Sequence, residues 1–303
     1  MHKPVIALLY DFDKTLCTKD MQEFMFIPDV GQTPEAFWSE ADRLSKERNM
    51  DGILAYMYQM LEMAHAARKP VTRDAFVRLG KDVEYYPGVE EWFDEISRFG
   101  ESIGAEVRHY VISSGLHEII EGSSIYPKFT KVFACEFLYD ENNAACWPKN
   151  VVNYTTKTQF LFRINKGVLD VSDDAELNRY VPEDEREIPF RNMIYIGDGI
   201  TDVPCMKLVK VNGGYSIGVY HDEKIEKVGF LLTDGRVDFI EPADYQKDSP
   251  LMQTVQMIMK KMIVADSLIR RSRQQEEQEK QRVLSDKIKE NQYENKKGKE
   301  DQE

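Results

Sequence analysis

Long apolar runs are missing from this 303-residue chain, and so is any excess of positive charge. No stretch reaches the roughly 18 uninterrupted apolar residues that a membrane-spanning helix needs, so neither a transmembrane segment nor a membrane partner is expected. Met1-His2-Lys3-Pro4 leads straight into the apolar run Val5 to Leu9, which leaves no room for a signal peptide. Cysteine is sparse. Cys17, Cys135, Cys146 and Cys205 are scattered without C-x-x-C spacing, which indicates neither a disulfide framework nor a zinc site and suits a reducing cytoplasm. A formal net charge of −13 speaks against a general nucleic-acid binder.

What is present is acid placed at strand ends. Asp11-Phe12-Asp13-Lys14-Thr15-Leu16 follows Val5 to Leu9 directly, so two carboxylates two residues apart stand at the carboxyl end of a buried parallel strand. Open α/β sheets build their sites there. The pair suits phosphoryl transfer: one carboxylate can attack phosphorus while its neighbour handles the proton of the leaving oxygen.

Three further segments have the same strand-then-polar form. Tyr110-Val111-Ile112-Ser113-Ser114-Gly115 ends an apolar strand in hydroxyls and a glycine, a junction whose side chains and backbone N–H groups can hold phosphate oxygens. Lys157 opens a helix with Phe160, Leu161 and Ile164 at helical spacing, and is preferred to Lys166, which sits at the far end beside the stop signal Gly167. Met193 to Ile196 is a strand followed by Gly197-Asp198-Gly199-Ile200-Thr201-Asp202. Hard cations such as Mg2+ prefer carboxylate oxygens and few protein ligands, and Asp198 fits as a direct ligand.

These four pieces, in this order, resemble the motifs of the haloacid dehalogenase-like (HAD) superfamily, most of whose members are magnesium-dependent phosphatases. The resemblance implies a doubly wound parallel α/β sheet with a helical cap. It also implies Asp11 as nucleophile and Asp13 as general acid and base. Ser113, with Ser114 as its rival, and Gly115 would bind the substrate phosphate, and Lys157 would offset charge. Mg2+ would be held by Asp11, the main-chain carbonyl of Asp13, and Asp198. Asp202 would act through water or by orienting the lysine. Phosphoserine phosphatases commonly carry Gly-Gly-Phe after the second-motif serine and Asn-Asp in the fourth motif. Ser114-Gly115-Leu116 and Thr201-Asp202 stand here instead, so amino-acid phosphate specificity does not follow.

The chain divides into residues 1–16 and 87–250 as the α/β core, 17–86 as a helical insert, and 251–303 as a C-terminal helix and charged tail. In the insert, Thr33 and Thr72 are expected to cap helices, and helices are expected over Pro34 to Asn49, Asp51 to Lys69 and up to Leu79. About seventy residues is too long for a loop, and the place of the insert resembles a C1-type cap of the phosphoserine phosphatase-like branch. Its stripe Met57, Tyr58, Met60, Met63 is expected to be ordinary packing.

Asp140 to Asn150 reads as a polar hairpin and Asp170 to Pro189 as an acidic loop. Leu251, Val255, Ile258, Met262, Ala265 and Ile269 form a coiled-coil-like stripe, which suits docking on the core or on a second subunit through residues 251–270. The helix is expected to fray after about Asp286. The function expected is hydrolysis of a small phosphorylated metabolite through an aspartyl-phosphate. A phosphotransferase or mutase using the same site, or a scaffold acting through the C-terminal helix, is the alternative.

Overall fold

In a computed structural model, the structure describes residues 3–221 and 225–300. Seven strands make one sheet: β1 Val5–Tyr10, β2 Glu106–Leu116, β3 Lys131–Tyr139, β4 Ala145–Asn150, β5 Met193–Gly197, β6 Tyr215–Tyr220 and β7 Phe239–Pro242. Their spatial order is β4-β3-β2-β1-β5-β6-β7, with only the β3–β4 pair antiparallel. β1 is buried at every position, as a central parallel strand covered on both faces must be. The chain winds outward from β1 through β2 and β3, then returns to β5 on the other side, so the switch point lies beside β1. The sheet is therefore the doubly wound α/β core that the motif order predicts.

The helices in chain order are α1 Phe26–Asp29, α2 Pro34–Arg48, α3 Gly52–Ala66, α4 Arg73–Leu79, α5 Val89–Ser102, α6 His117–Glu121, α7 Lys157–Lys166, α8 Asp174–Asn178, α9 Val203–Val211, α10 Glu226–Thr233 and α11 Pro250–Glu300. The insert is helical for local reasons. Thr33 accepts from the Ala36 N–H, Asp51 from Ile53 and Leu54, and Thr72 from Ala75, each satisfying donors that a helix start leaves unpaired. Asn49 ends α2 in the left-handed region. α3 buries Tyr56, Met57 and Met60, whereas Tyr58 is exposed. The methionine stripe therefore splits between packing and surface.

The polar hairpin expected over Asp140 to Asn150 is present, its second arm Ala145–Asn150 pairing antiparallel with β3 as an edge strand. Two other expectations needed correction. The acidic segment 170–189 contains α8, capped by Asp173 and tied by the Arg163 guanidinium to the carbonyls of Asp170 and Val171. The last helix is regular to Glu300 rather than fraying after Asp286. α10 and β7 had no counterpart in the sequence reading.

One compact unit ends at Met259 and a second begins at Lys260. Within the first, Leu251, Met252, Val255, Ile258 and Met259 at the start of α11 are buried. No helix among the described residues is long and apolar enough to cross a membrane.

Candidate active site

The site grows from the end of β1. The Asp11 N–H donates to the Ile196 carbonyl at 3.0 Å, which ties the first acidic motif to β5 where the fourth begins. Beyond it the chain turns sharply: the N–H groups of Thr15, Leu16 and Cys17 all reach the Phe12 carbonyl, and Lys14 takes a left-handed φ of 54°. That turn sends Asp11 and Asp13 to the same end of the sheet. Lys14 pairs with Asp20 and, with Asp198, Thr18 and Glu23, lines a cleft of about 350 Å3.

Lys157 is fully buried at the start of α7, and its Nζ lies 3.0 Å from Asp11 Oδ1 and 2.8 Å from Asp202 Oδ1. Burial pulls its pKa down, but Asp11 and Asp202 more than offset this and keep the ammonium charged. Lys166 is engaged elsewhere, donating to the carbonyls of Leu177 and Arg179. Asp11, Asp198 and Asp202 each offer an oxygen within 4.8 Å of the others.

Their electrostatics follow from crowding. Burial first, and then the Asp202 charge, push Asp11 up to about 7 against the opposing pull of Lys157. Burial, Asp11 and Asp202 push Asp198 up to about 8. With one ammonium among them, Asp11 and Asp198 thus resist ionisation.

Asp13 stands apart from the three. Its Oδ1 accepts from the Met21 N–H at 2.7 Å. Burial, Asp20 and Asp11 hold its carboxyl well above the usual range, which favours its protonated form. At the end of β2, Ser113 is fully buried and its Oγ accepts from the Gly115 N–H at 2.9 Å. The Ser114 Oγ is buried without a partner, while its carbonyl accepts from the Tyr56 hydroxyl of α3 at 2.6 Å. The helical insert is thereby fastened to the second motif.

The donor set fits a hard divalent cation. The ligand atoms are all carboxylate oxygens, and Asp202 Oδ2 is buried with no hydrogen-bond partner. Such an oxygen costs at least about 1–3 kcal/mol unless something binds it. Asp11, Asp198 and Asp202 would hold Mg2+ here.

Sequence reasoning missed Met21, Tyr56 and Tyr195. The Tyr195 hydroxyl donates to Asp202 Oδ1 at 2.7 Å from inside β5. A signal existed, because a tyrosine within the apolar run Met193 to Ile196 must find a partner for its hydroxyl when buried. Met21 reaches Asp13 through its backbone N–H, and its sulfur accepts from the Leu116 N–H at 3.1 Å; neither contact leaves such a signal.

Comparison with known proteins agrees with this geometry. The family of haloacid dehalogenase-like hydrolases matches residues 8–207. An uncharacterized protein of Borreliella burgdorferi is 29% identical over 276 residues, covering 82% of this chain and 94% of its own length. A HAD family hydrolase from Salmonella enterica serovar Typhi shares the fold at a TM-score of 0.53 and 15% identity, covering 84% of this chain and 72% of its own. A substrate-bound phosphoserine phosphatase superposes at a TM-score of 0.52 and 14% identity, over 82% of this chain and 96% of its own. With the four motifs gathered at one end of the sheet and the matching region spanning most of the chain, this protein belongs to the haloacid dehalogenase-like hydrolases.

Proposed function

We propose that this protein is a Mg2+-dependent phosphatase that hydrolyses a small phosphomonoester through an aspartyl-phosphate on Asp11. The observation that carries this is the Lys157 ammonium shared between Asp11 and Asp202 at the carboxyl end of β1. An Asp11 oxygen attacks phosphorus in line and the ester P–O bond breaks as Asp13 gives its proton to the departing alkoxide. Asp13, now ionised, takes a proton from water, whose oxygen attacks the same phosphorus and releases inorganic phosphate with Asp11 restored. Ser113, Ser114 and Gly115 border the phosphate, and Lys157 offsets its charge. Mg2+, held by Asp11, Asp198, Asp202 and, as the family resemblance implies, the Asp13 carbonyl, supplies charge neutralisation and Lewis acidity when bound. The four free cysteines support a cytoplasmic setting.

A panel of phosphorylated metabolites supplied with Mg2+ tests this by release of inorganic phosphate. The wild type should release phosphate from at least one compound and Asp11→Asn from none. Asp13→Asn should be slower by about 10²–10⁴, the usual worth of general acid–base assistance. Excess EDTA should abolish turnover. Transfer to an added alcohol or sugar in place of release would move the assignment to a phosphotransferase or mutase. Equal inertness of wild type and Asp11→Asn would favour a scaffold.

A further inference from the structure

Asp202 is held by one oxygen only. Its Oδ1 accepts from Lys157 Nζ at 2.8 Å and from the Tyr195 hydroxyl at 2.7 Å, while its Oδ2 is buried without a partner. The terminal torsion of an aspartate is broad and nearly two-fold. With Lys157 as the sole donor, the carboxylate could therefore turn and offer either oxygen to the ammonium, which Asp11 also engages at 3.0 Å. A second donor, fixed on a central strand, removes that freedom.

Two features indicate that the phenol is there for this purpose. Ile194 and Ile196 flank Tyr195 in a strand that is buried throughout, and phenylalanine would fill the same apolar volume. The hydroxyl is the one polar atom the side chain adds, and it goes to the carboxylate rather than to the backbone. Gly197 supplies the second feature: a Cβ at that position would lie 2.5 Å from Asp202 Oδ2. The missing side chain leaves room for the free oxygen in the orientation that the two donors impose.

We infer that Tyr195 is a positioning residue for the divalent cation. By occupying Oδ1 together with Lys157, it reserves Asp202 Oδ2 as the free ligand atom beside Asp11 and Asp198, where it meets a hard cation directly or through one bound water. The inference rests on the proposed phosphatase function for the choice of cation. Its test reads metal binding and not turnover.

The experiment is titration calorimetry of Mg2+ into the full-length, metal-free protein, comparing wild type, Tyr195→Phe, Asp202→Asn and the double variant. Circular dichroism checks that each remains folded. Tyr195→Phe should raise the Mg2+ Kd by about 10- to 100-fold, the range typical for removing a partner that orients a metal ligand. In the Asp202→Asn background the same substitution should add little, because Tyr195 acts through that carboxylate. Tyr139→Phe deletes a different hydroxyl, one bonded to Glu118, and should leave the Kd unchanged.

Equal Mg2+ affinity in wild type and Tyr195→Phe overturns the positioning role and leaves the phosphatase function intact. So does a Kd that rises equally in Tyr139→Phe, or a Tyr195→Phe effect fully additive with Asp202→Asn. A wild type that binds no Mg2+ overturns both the positioning role and the proposed function.

Discussion

Aspartate, lysine and serine could be recognised along the chain because each stood directly after an apolar strand or at a helix start, where side chains are forced toward the carboxyl edge of the sheet. Tyr195 and Met21 could not. The role of the first depends on Asp202 reaching back to it, and that of the second on a backbone N–H meeting Asp13. His109 illustrates the same limit. Inside β2 its Nδ1 faces the Tyr10 hydroxyl at 3.0 Å, which in turn accepts from the Trp92 indole at 2.8 Å, and its Nε2 lies 3.2 Å from the Ser97 Oγ. The phenol therefore donates to Nδ1, and the neutral ring carries its proton on Nε2. Burial lowers the His109 pKa to about 4, against backbone and Asp94 contributions that raise it. Because the folded pKa lies below the unfolded value, the unfolded chain binds the proton first as pH falls. This stabilisation is complete above about pH 6.5 and is lost as pH falls through 4. At about 1.4 kcal/mol per pKa unit it is worth about 3 kcal/mol in all. Urea midpoints measured from pH 7 to pH 4 should fall in the wild type and fall less steeply in His109→Gln.

At the scale of elements, long amphipathic segments were legible and short or unperiodic ones were not. α2, α3, α5, α7 and α9 announce themselves by apolar spacing, α2 and α3 also by their side-chain caps, and α7 begins and ends at the expected residues Lys157 and Lys166. β7 spans only four residues, none fully buried, so neither alternation nor an apolar run marks it. The polar part of α11 was underestimated because Gln, Glu, Lys and Arg dominate it and no continuous apolar stripe marks it. Pairs such as Asp266–Arg270, Glu276–Lys280 and Glu279–Arg282 instead stabilise successive turns. Close packing was equally invisible. A Cβ on Gly122, at the end of α6, would lie 1.7 Å from the Val77 carbonyl oxygen of α4, so the two helices touch backbone to backbone. Gly122→Ala should cost about 1–3 kcal/mol, as overpacking does, and lower the urea midpoint. Gly52→Ala, where nothing lies within 4 Å, should leave it unchanged or slightly raised.

For the whole molecule, the fold class was legible because strands and helices alternate, and the family because four motifs keep their order. Substrate identity was not legible, since the insert that would select it carries no motif of its own. The role of the second unit, from Lys260 onward, was not legible either. Leu268, Val283, Leu284 and Ile288 are exposed on it.

The bond between the Asp11 amide and the Ile196 carbonyl has a consequence for how the protein comes into being. It joins the first strand to one synthesised most of a chain length later, and contacts of such high sequence separation form slowly. The emerging polypeptide can collapse and build helices while its carboxylates are still far apart. Catalytic competence therefore waits until β5 has left the ribosome, and it is forfeited when β5 is lost.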